Sequence, residues 1–408
     1  MPADAPYDLV VYGATGFTGR QVAGYLAAHA PETLRWAVAG RNATRLSEVA
    51  KAFAGPDGPR PQLVVDSADA ESVAELARQA RVVVTTVGPY ARYGTPIVEA
   101  CVAQGTHYLD ITGETAWVRE MIDAHHDAAA AAGLRIVPCC GFDSVPSDLG
   151  THVAVRHLAA SGRRTRRVRA FHRGRGGVNG GTIHSFLTMA ELGGTKAMRD
   201  PILLNPTGLR GGDRQEAEPD PLLPFYEPEL GALVAPFVMG QINTRVVRRS
   251  AALAEQRQEA YGDGFRYQEY WKCEGLLGPA EALGFTWGQA LTPLITGIPA
   301  LRRLAQRALP PPGSGPSEAT MDAGFFRCEL IADADDGQRI LVEFADRGDP
   351  GNRATVKMLT EGALALALNG DALPPAAGVL TPASAFGDVL VDRLRKAGMT
   401  IAVKDPWP

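Results

Sequence analysis

The sequence lacks several features that would mark a class of protein at once. It has no basic excess, since 41 Lys and Arg stand against 45 Asp and Glu for a formal charge of -4, and this balance argues against nucleic acid as a main partner. It contains neither a His-Glu-x-x-His sequence nor a paired set of cysteines, so we predict no metal site. The five cysteines are odd in number and irregularly spaced, which favours free thiols in a reducing compartment.

The N-terminal residues lack the basic patch and apolar run of a signal peptide, so we expect a cytoplasmic protein. One uncharged apolar stretch, residues 282–301, has about the length of a membrane-crossing helix. Pro293, Pro299 and three glycines would break or soften such a helix, and we therefore predict no membrane span.

Length and pattern predict two domains. At 408 residues the chain is more than twice as long as a typical domain of about 150 residues. Strand and helix patterns alternate through residues 1–147, which predicts a Rossmann-type α/β domain with a doubly wound parallel sheet. Residues 148–349 carry longer strand patterns and a hairpin turn at 335–337, which predicts a second, α+β domain on a mainly antiparallel sheet. Residues 350–408 return to helix and are expected to pack back on the first domain, whereas 205–236 is interpreted as an irregular excursion over the surface.

A glycine-rich turn follows the first predicted strand and precedes the first predicted helix. Its sequence is GATGFTG, and its glycines permit a tight turn and a close approach of backbone to a pyrophosphate at the helix N-terminus. We predict dinucleotide binding here, although a purely structural turn is the alternative. The residues concerned are Gly13, Ala14, Thr15, Gly16, Phe17, Thr18 and Gly19.

The end of the second predicted strand indicates which dinucleotide is bound. An NAD site usually places Asp or Glu there, to bind the ribose 2′-hydroxyl. Arg41 occupies that place, with Asn42 beside it and Arg45 one turn further on. Because a guanidinium suits a 2′-phosphate in charge and geometry, we predict NADP, with a solvated surface arginine as the alternative.

Two further strand ends complete the predicted cofactor site. Asp66 and Ser67 end the third strand and are placed to meet the adenine side of the cofactor. The fourth strand ends in residues predicted to pass beside the nicotinamide, namely Thr86, Val87, Gly88 and Pro89.

Segments along nearly the whole chain resemble the saccharopine dehydrogenase-like oxidoreductases. The resemblance is to the branch that includes the mycobacterial trans-acting enoyl reductases. In the first domain it rests on residues 7–19, 39–45, 86–94, 108–114 and 141–148. Beyond that it rests on 180–185, 247–253, 312–318, 348–361 and 378–384.

This resemblance implies an NADPH-dependent enoyl reductase that acts on an α,β-unsaturated acyl thioester for a polyketide or lipid synthase. The chemistry asks the protein to orient the nicotinamide, polarise the thioester carbonyl and supply a proton. Candidates for these roles are Tyr90 and Tyr93, which are equally suited to wall the pocket, and Asp143 with Ser144. For Ser144 the favoured alternative is that it caps the start of the helix that follows. A C=N or C=O reductase, and a membrane-associated nucleotide-binding protein without turnover, are the alternative functions.

Two regions indicate partners. Seven arginines between residues 163 and 175 would attract an acidic acyl carrier protein, or would simply form a solvated strand face. The apolar stretch 282–301 is followed by Arg302, Arg303 and Arg307. That combination suits peripheral contact with a membrane, a lid over an acyl chain, or an element that is buried in the core or in the interface of a homodimer.

Overall fold

The fold was taken from a computed structural model, which describes residues 5–177, 197, 199–206, 218–298, 300–301 and 313–407. Its strands are β1 Leu9–Tyr12, β2 Trp36–Gly40, β3 Gln62–Val64, β4 Val82–Thr85, β5 His107–Leu109, β6 Arg135–Val137, β7 Thr165–Arg175, β8 Phe225–Glu227, β9 Ala232–Pro236, β10 Arg266–Cys273, β11 Phe325–Ala334, β12 Arg339–Arg347, β13 Gly378–Val379 and β14 Thr400–Lys404. Its α-helices are α1 Phe17–His29, α2 Ala43–Ala52, α3 Ala70–Arg78, α4 Tyr90–Tyr93, α5 Thr95–Gln104, α6 Thr115–Ala131, α7 Val145–Ala160, α8 Gly240–Gln256, α9 Gly278–Gly297, α10 Glu318–Asp322, α11 Thr355–Leu368 and α12 Pro382–Lys396.

The first sheet is parallel and has the strand order β13-β6-β5-β4-β1-β2-β3. Its central strands β1, β2 and β4 are apolar runs buried along their whole length, as a sheet covered by helices on both faces requires. The predicted Rossmann-type sheet is confirmed. Because the strand order reverses between β1 and β4, the crevice at their carboxyl ends is where such a sheet binds its ligand.

The second sheet is mainly antiparallel, as predicted, with the order β14-β12-β11-β7-β10-β9-β8. Among the strands of this sheet that the structure describes, β7 and β10 are the one pair that runs parallel. Strands β11 and β12 form the predicted hairpin, and Gly337 takes a φ of 88° in its turn. Helix α7 packs on the inner face of this sheet through Leu149, Val153 and Leu158.

The prediction of an irregular surface excursion over 205–236 is wrong in its second half. Strands β8 and β9 lie there and extend the second sheet beyond β10. Val234 and Ala235 in β9 are fully buried. Strand β9 is short, begins after Gly231 and ends at Pro236, so its flanking residues give the whole stretch the composition of a loop.

The C-terminal segment contributes to both sheets. Strand β13 pairs with β6 at the edge of the first sheet, and β14 pairs with β12 at the edge of the second. Helix α11 packs against α1 and against strands β4 and β5 of the first sheet. The division of the chain at residues 147 and 349 stays a prediction.

Candidate active site at the carboxyl edge of the first sheet

The glycine-rich turn has the close packing that its sequence predicts. Gly13 takes a φ of 88°, in the left-handed region that favours glycine. A Cβ atom on Gly19 would lie 2.2 Å from the Gly13 carbonyl oxygen, so helix α1 packs directly on the turn. Within the turn Ala14 is buried and Thr15, Phe17 and Thr18 are partly buried.

Helix α1 begins at Phe17, and the preceding Gly16 supplies no side chain to cap it. The Gly16 amide itself donates to the Gly13 carbonyl at 2.9 Å. The first amides of α1 are therefore not capped by a side chain and point, with the positive end of the helix dipole, into the crevice. This arrangement fits the pyrophosphate of a dinucleotide.

Three predicted cofactor residues meet around the hydroxyl of Tyr12, at the end of β1. The pKa of Tyr12 is raised, mainly by burial and further by the Asp66 carboxylate. A hydrogen bond with Ser67 and the charge of Arg41 act in the opposite direction and lower it. Arg41 and Asp66 are exposed. The structure thus brings together the residues predicted to select the 2′-phosphate and to meet the adenine, and it adds Tyr12, to which the sequence analysis gave no role.

The two other residues predicted on this side have different surroundings. Asn42 Oδ1 accepts a hydrogen bond from the Arg45 amide at 2.9 Å, so the Asn42 side chain caps helix α2. The Arg45 side chain is exposed in the first turn of that helix.

The turn predicted beside the nicotinamide contacts the glycine-rich turn. Thr86 Oγ1 donates to the Gly13 carbonyl at 3.4 Å, and a Cβ atom on Gly13 would lie 2.8 Å from Val87 Cγ2. Pro89 is partly buried and Gly88 is exposed.

A buried carboxylate from the next strand connection holds this turn. Glu114 accepts hydrogen bonds from the amides of Tyr90, at 2.8 Å, and Ala91, at 2.9 Å. These are the first amides of helix α4, which otherwise lacks a side-chain cap. Glu114 lies within residues 108–114, and no local pattern in that segment predicts this contact.

The two tyrosines proposed from the sequence differ in their surroundings. Tyr90 is 4% exposed, and its hydroxyl donates to the Thr85 carbonyl at 3.3 Å. Its ring centroid lies 5.8 Å from that of Trp117. Tyr93 is 39% exposed. The packing of Tyr90 is that of a residue in the wall beneath the turn.

A buried carboxyl group lies below the ends of β5 and β6. Asp110 accepts hydrogen bonds from the Tyr108 hydroxyl at 2.8 Å, the Thr112 amide at 2.9 Å and the Cys139 amide at 3.0 Å. Burial raises the pKa of Asp110 to about 7. Cys139 itself takes a φ of 64°, which is uncommon for a residue other than glycine and is found often at functional sites.

Asp143 and Ser144 lie in the loop between β6 and α7. Burial, together with the negative charge of Glu269, raises the pKa of Asp143 to about 6. The alternative that the Ser144 hydroxyl caps α7 is wrong, since it makes no capping hydrogen bond. Instead Ser144 Oγ lies 3.4 Å from Asn243 Oδ1 on helix α8, because that helix packs against α7.

A polar network on the inner face of the second sheet continues from Asn243. The carboxylate of Glu269, which is fully buried, accepts from Asn243 Nδ2 at 2.7 Å, from Ser147 Oγ at 2.8 Å and from the Tyr267 hydroxyl at 2.8 Å. His172 Nε2 lies 3.5 Å from Glu269 Oε2. We call these five residues the Glu269 network. Sequence reasoning missed it because its members come from four distant segments.

The loop before helix α10 packs on the glycine-rich turn. A Cβ atom on Gly315 would lie 2.3 Å from the ring of Phe17. Pro316 in turn contacts Gly177, since a Cβ atom added to Gly177 would lie 2.5 Å from the Pro316 side chain. The quoted residues 180–185 lie outside the described residues.

Most of the arginines between 163 and 175 have acidic partners. Arg163 pairs with Asp336, Arg164 with Asp263, Arg167 with Glu218, Arg169 with Glu227 and Glu229, and Arg173 with Glu274. Arg169 is only 9% exposed. Five of the seven guanidiniums are thus partly neutralised within this chain.

Residues 282–297 of the apolar stretch lie in helix α9, so Pro293 and the glycines before it do not break a helix there, whereas Pro299 lies outside the described residues. Helix α9 packs along β9 and β10, and this tertiary contact outweighs the low helix propensity of its glycines. In the part of the chain that the structure describes, no helix is long and apolar enough to cross a membrane. Arg302, Arg303 and Arg307 lie outside the described residues.

Known proteins resemble this chain along its full length. Residues 9–137 match the saccharopine dehydrogenase NADP binding domain. A Mycobacterium tuberculosis protein provisionally named a trans-acting enoyl reductase is 42% identical over 416 residues, covering 97% of each chain. A Mycobacterium bovis protein named trans-acting enoyl reductase is 37% identical over 423 residues, covering 98% of each chain.

Two solved structures share the fold over both sheets. Saccharopine dehydrogenase (L-Glu forming) from Saccharomyces cerevisiae superposes with a TM-score of 0.53 at 12% identity, over 98% of this chain and 99% of that one. Homospermidine synthase from Legionella pneumophila superposes with a TM-score of 0.52 at 9% identity, over 98% of this chain and 91% of that one.

Proposed function

The chain belongs to the saccharopine dehydrogenase-like oxidoreductases, in the branch of the mycobacterial trans-acting enoyl reductases, and from this membership we propose that it reduces the C=C bond of an α,β-unsaturated acyl thioester. It is an NADP-dependent oxidoreductase. The observation that carries the proposal is the 37% identity to a named enoyl reductase over 98% of both chains. A likeness of that extent covers the part of the chain that would bind the substrate as well as the part that binds NADP.

We assign the cofactor to the crevice between β1 and β4. Bound NADPH supplies the hydride that is added to the β carbon of the enoyl group. The amides at the start of α1 would hold its pyrophosphate. Arg41 would pair with the 2′-phosphate, and Ser67 with Asp66 would line the adenine side. The turn of residues 86–89, fixed by Glu114, would position the nicotinamide.

We assign the proton for the α carbon to Asp143. A carboxyl group with a pKa of about 6 keeps a protonated fraction of about one tenth at pH 7, far more than an ordinary aspartate does. The Glu269 network lies under the same loop and holds Ser144, the neighbour of Asp143, through Asn243. Tyr90 supports the wall, and we place Tyr93 at the entrance, where a thioester would approach.

We propose that a polyketide or lipid synthase presents the acyl chain, in the cytoplasm or at a membrane surface. The paired arginines make β7 a weaker electrostatic target for an acidic acyl carrier than its sequence predicts. Arg166, which is exposed, is the residue on which we would test carrier docking.

The test uses purified protein, NADPH and three substrate classes: enoyl thioesters of several chain lengths, imines and ketones. We expect NADPH to be consumed only with enoyl thioesters, and a chelator to have no effect on the rate. Consumption with an imine or a ketone, and with no enoyl thioester, would instead place the activity closer to saccharopine chemistry.

A further inference from the structure

Helix α9 has one side that faces the second sheet. On that side the Phe285 ring centroid lies 5.0 Å from that of Trp271, and Gln289 Nε2 donates to the Pro236 carbonyl at 2.7 Å. Trp271 Nε1 donates to Glu281 Oε1 at 2.8 Å. Aromatic packing and satisfied hydrogen bonds therefore fix the helix on the sheet and determine which side it turns outward.

The outward side is apolar. Leu283, Trp287 and Leu291 follow one another at intervals of four, so they stand on one side of the helix. Their exposed fractions are 55%, 61% and 45%. We call these three residues the outer stripe. Four more large apolar residues, which precede or follow α9 in the sequence, are also exposed: Leu276, Leu277, Ile298 and Leu301.

Charge is absent from this part of the sequence and returns directly after it. No Asp, Glu, Lys or Arg occurs from 282 to 301, and the next basic residues are Arg302, Arg303 and Arg307. An exposed apolar stripe with a tryptophan on it, next to a cluster of arginines, is the composition of a helix that lies in the interface of an anionic bilayer. The arginines match anionic headgroups in charge.

We propose that the outer stripe of α9 binds the surface of a phospholipid membrane that contains anionic lipid. The helix lies in the plane of the membrane, with Leu283, Trp287 and Leu291 among the acyl chains. Because its inner side keeps its contacts with β9 and β10, binding requires no rearrangement of the second sheet. The inference goes beyond the proposed reaction and does not depend on it.

Flotation with vesicles tests the proposal on the full chain. We expect the protein to float with vesicles of phosphatidylcholine and phosphatidylglycerol, more weakly with phosphatidylcholine alone, and less at high salt because salt screens the headgroups. A triple variant, Leu283→Ser, Trp287→Ser and Leu291→Ser, is expected to bind at least about tenfold more weakly, since three apolar side chains are lost from the bilayer. The matched control is Leu222→Ser with Leu223→Ser, two leucines that are 79% and 73% exposed elsewhere.

Trp287 provides a second readout that does not depend on mutating the whole stripe. Lipids brominated in their acyl chains should quench the protein fluorescence, and Trp287→Phe should float as before but lose most of this quenching. Trp36 and Trp117 are each 3% exposed and report little contact with lipid.

Specific results would overturn the proposal. The first is that the native chain does not float with the vesicles. The second is that the triple variant still floats, although its unfolding midpoint and NADPH affinity are those of the native chain. A native chain that is dimeric, does not float and becomes monomeric in the triple variant would show that a second copy covers the stripe.

Discussion

The carboxyl edge of the first sheet and the inner face of the second sheet use polar groups in opposite ways. At the edge, the residue before α1 supplies no side-chain cap to the first amides of that helix, and the Arg41 side chain is exposed, so both are available to a ligand. On the inner face, three hydrogen-bond donors converge on the single carboxylate of Glu269. The first region is therefore arranged to bind a ligand and the second to hold the Asp143 loop, and the two should respond differently to substitution.

The loop between the two regions should show the largest effect on activity. Asp143→Asn removes the proposed proton donor, and we expect kcat/KM to fall by about 10²- to 10⁴-fold. Since burial raises the pKa of Asp143 to about 6, the native rate should decline as the pH rises through 6 and the protonated form is lost. The variant should lack that decline and bind NADPH with native affinity. An unchanged pH profile would assign the proton to another group.

Removal of the central carboxylate should have the largest effect on stability. Glu269→Ala leaves three buried donors without an acceptor, and we expect it to lower the free energy of unfolding by about 3–5 kcal/mol. Glu274→Ala, directly after the same strand, removes a carboxylate that is 43% exposed and paired with Lys272, and should cost less than about 1 kcal/mol. Denaturant unfolding measures both. Equal losses would contradict the contrast between the two regions.

Arg41→Ala should act on binding alone. We expect the variant to bind NADPH more weakly by about 1.5–3 kcal/mol, the contribution of a hydrogen bond to a charged group. Its affinity for NADH and its unfolding midpoint should be unchanged, because Arg41 is exposed. Fluorescence titration with both cofactors measures this, and an equal loss for the two would show that Arg41 does not contact the 2′-phosphate.

Gly19→Ala should disturb the glycine-rich turn, at the carboxyl edge of the first sheet, through a steric clash. Its Cβ atom would lie 2.2 Å from the Gly13 carbonyl oxygen, so the turn must shift, at a cost of about 1–3 kcal/mol. Both cofactors should then bind more weakly. Gly284→Ala in α9, where a Cβ atom meets nothing within 4 Å, is the control and should be neutral or slightly stabilising. Native binding of both cofactors by Gly19→Ala would refute the close packing.

The parts that the sequence predicts are the local ones. The strands of the first sheet are short apolar runs, and the glycine-rich turn and Arg41 stand at fixed offsets from them, so nearby residues determine each. The Glu269 network is different, because Ser147 and Glu269 are 122 positions apart and no local pattern relates them. Glu114 is an intermediate case, since it lies in a quoted segment but meets Tyr90 only through the fold. In α9, packing on the second sheet stabilises a helix across Pro293 and the glycines before it, which their local propensities do not predict.

The two short strands near the C-terminus affect how the chain folds during its synthesis. Strand β13 completes the first sheet beside β6, and β14 completes the second beside β12. During synthesis the outer edges of β6 and β12 stay open until residues 378–404 leave the ribosome, and an open edge can pair with other chains. Neither sheet can therefore be completed before the C-terminal segment is synthesised, so the two halves of the molecule acquire their last strands together.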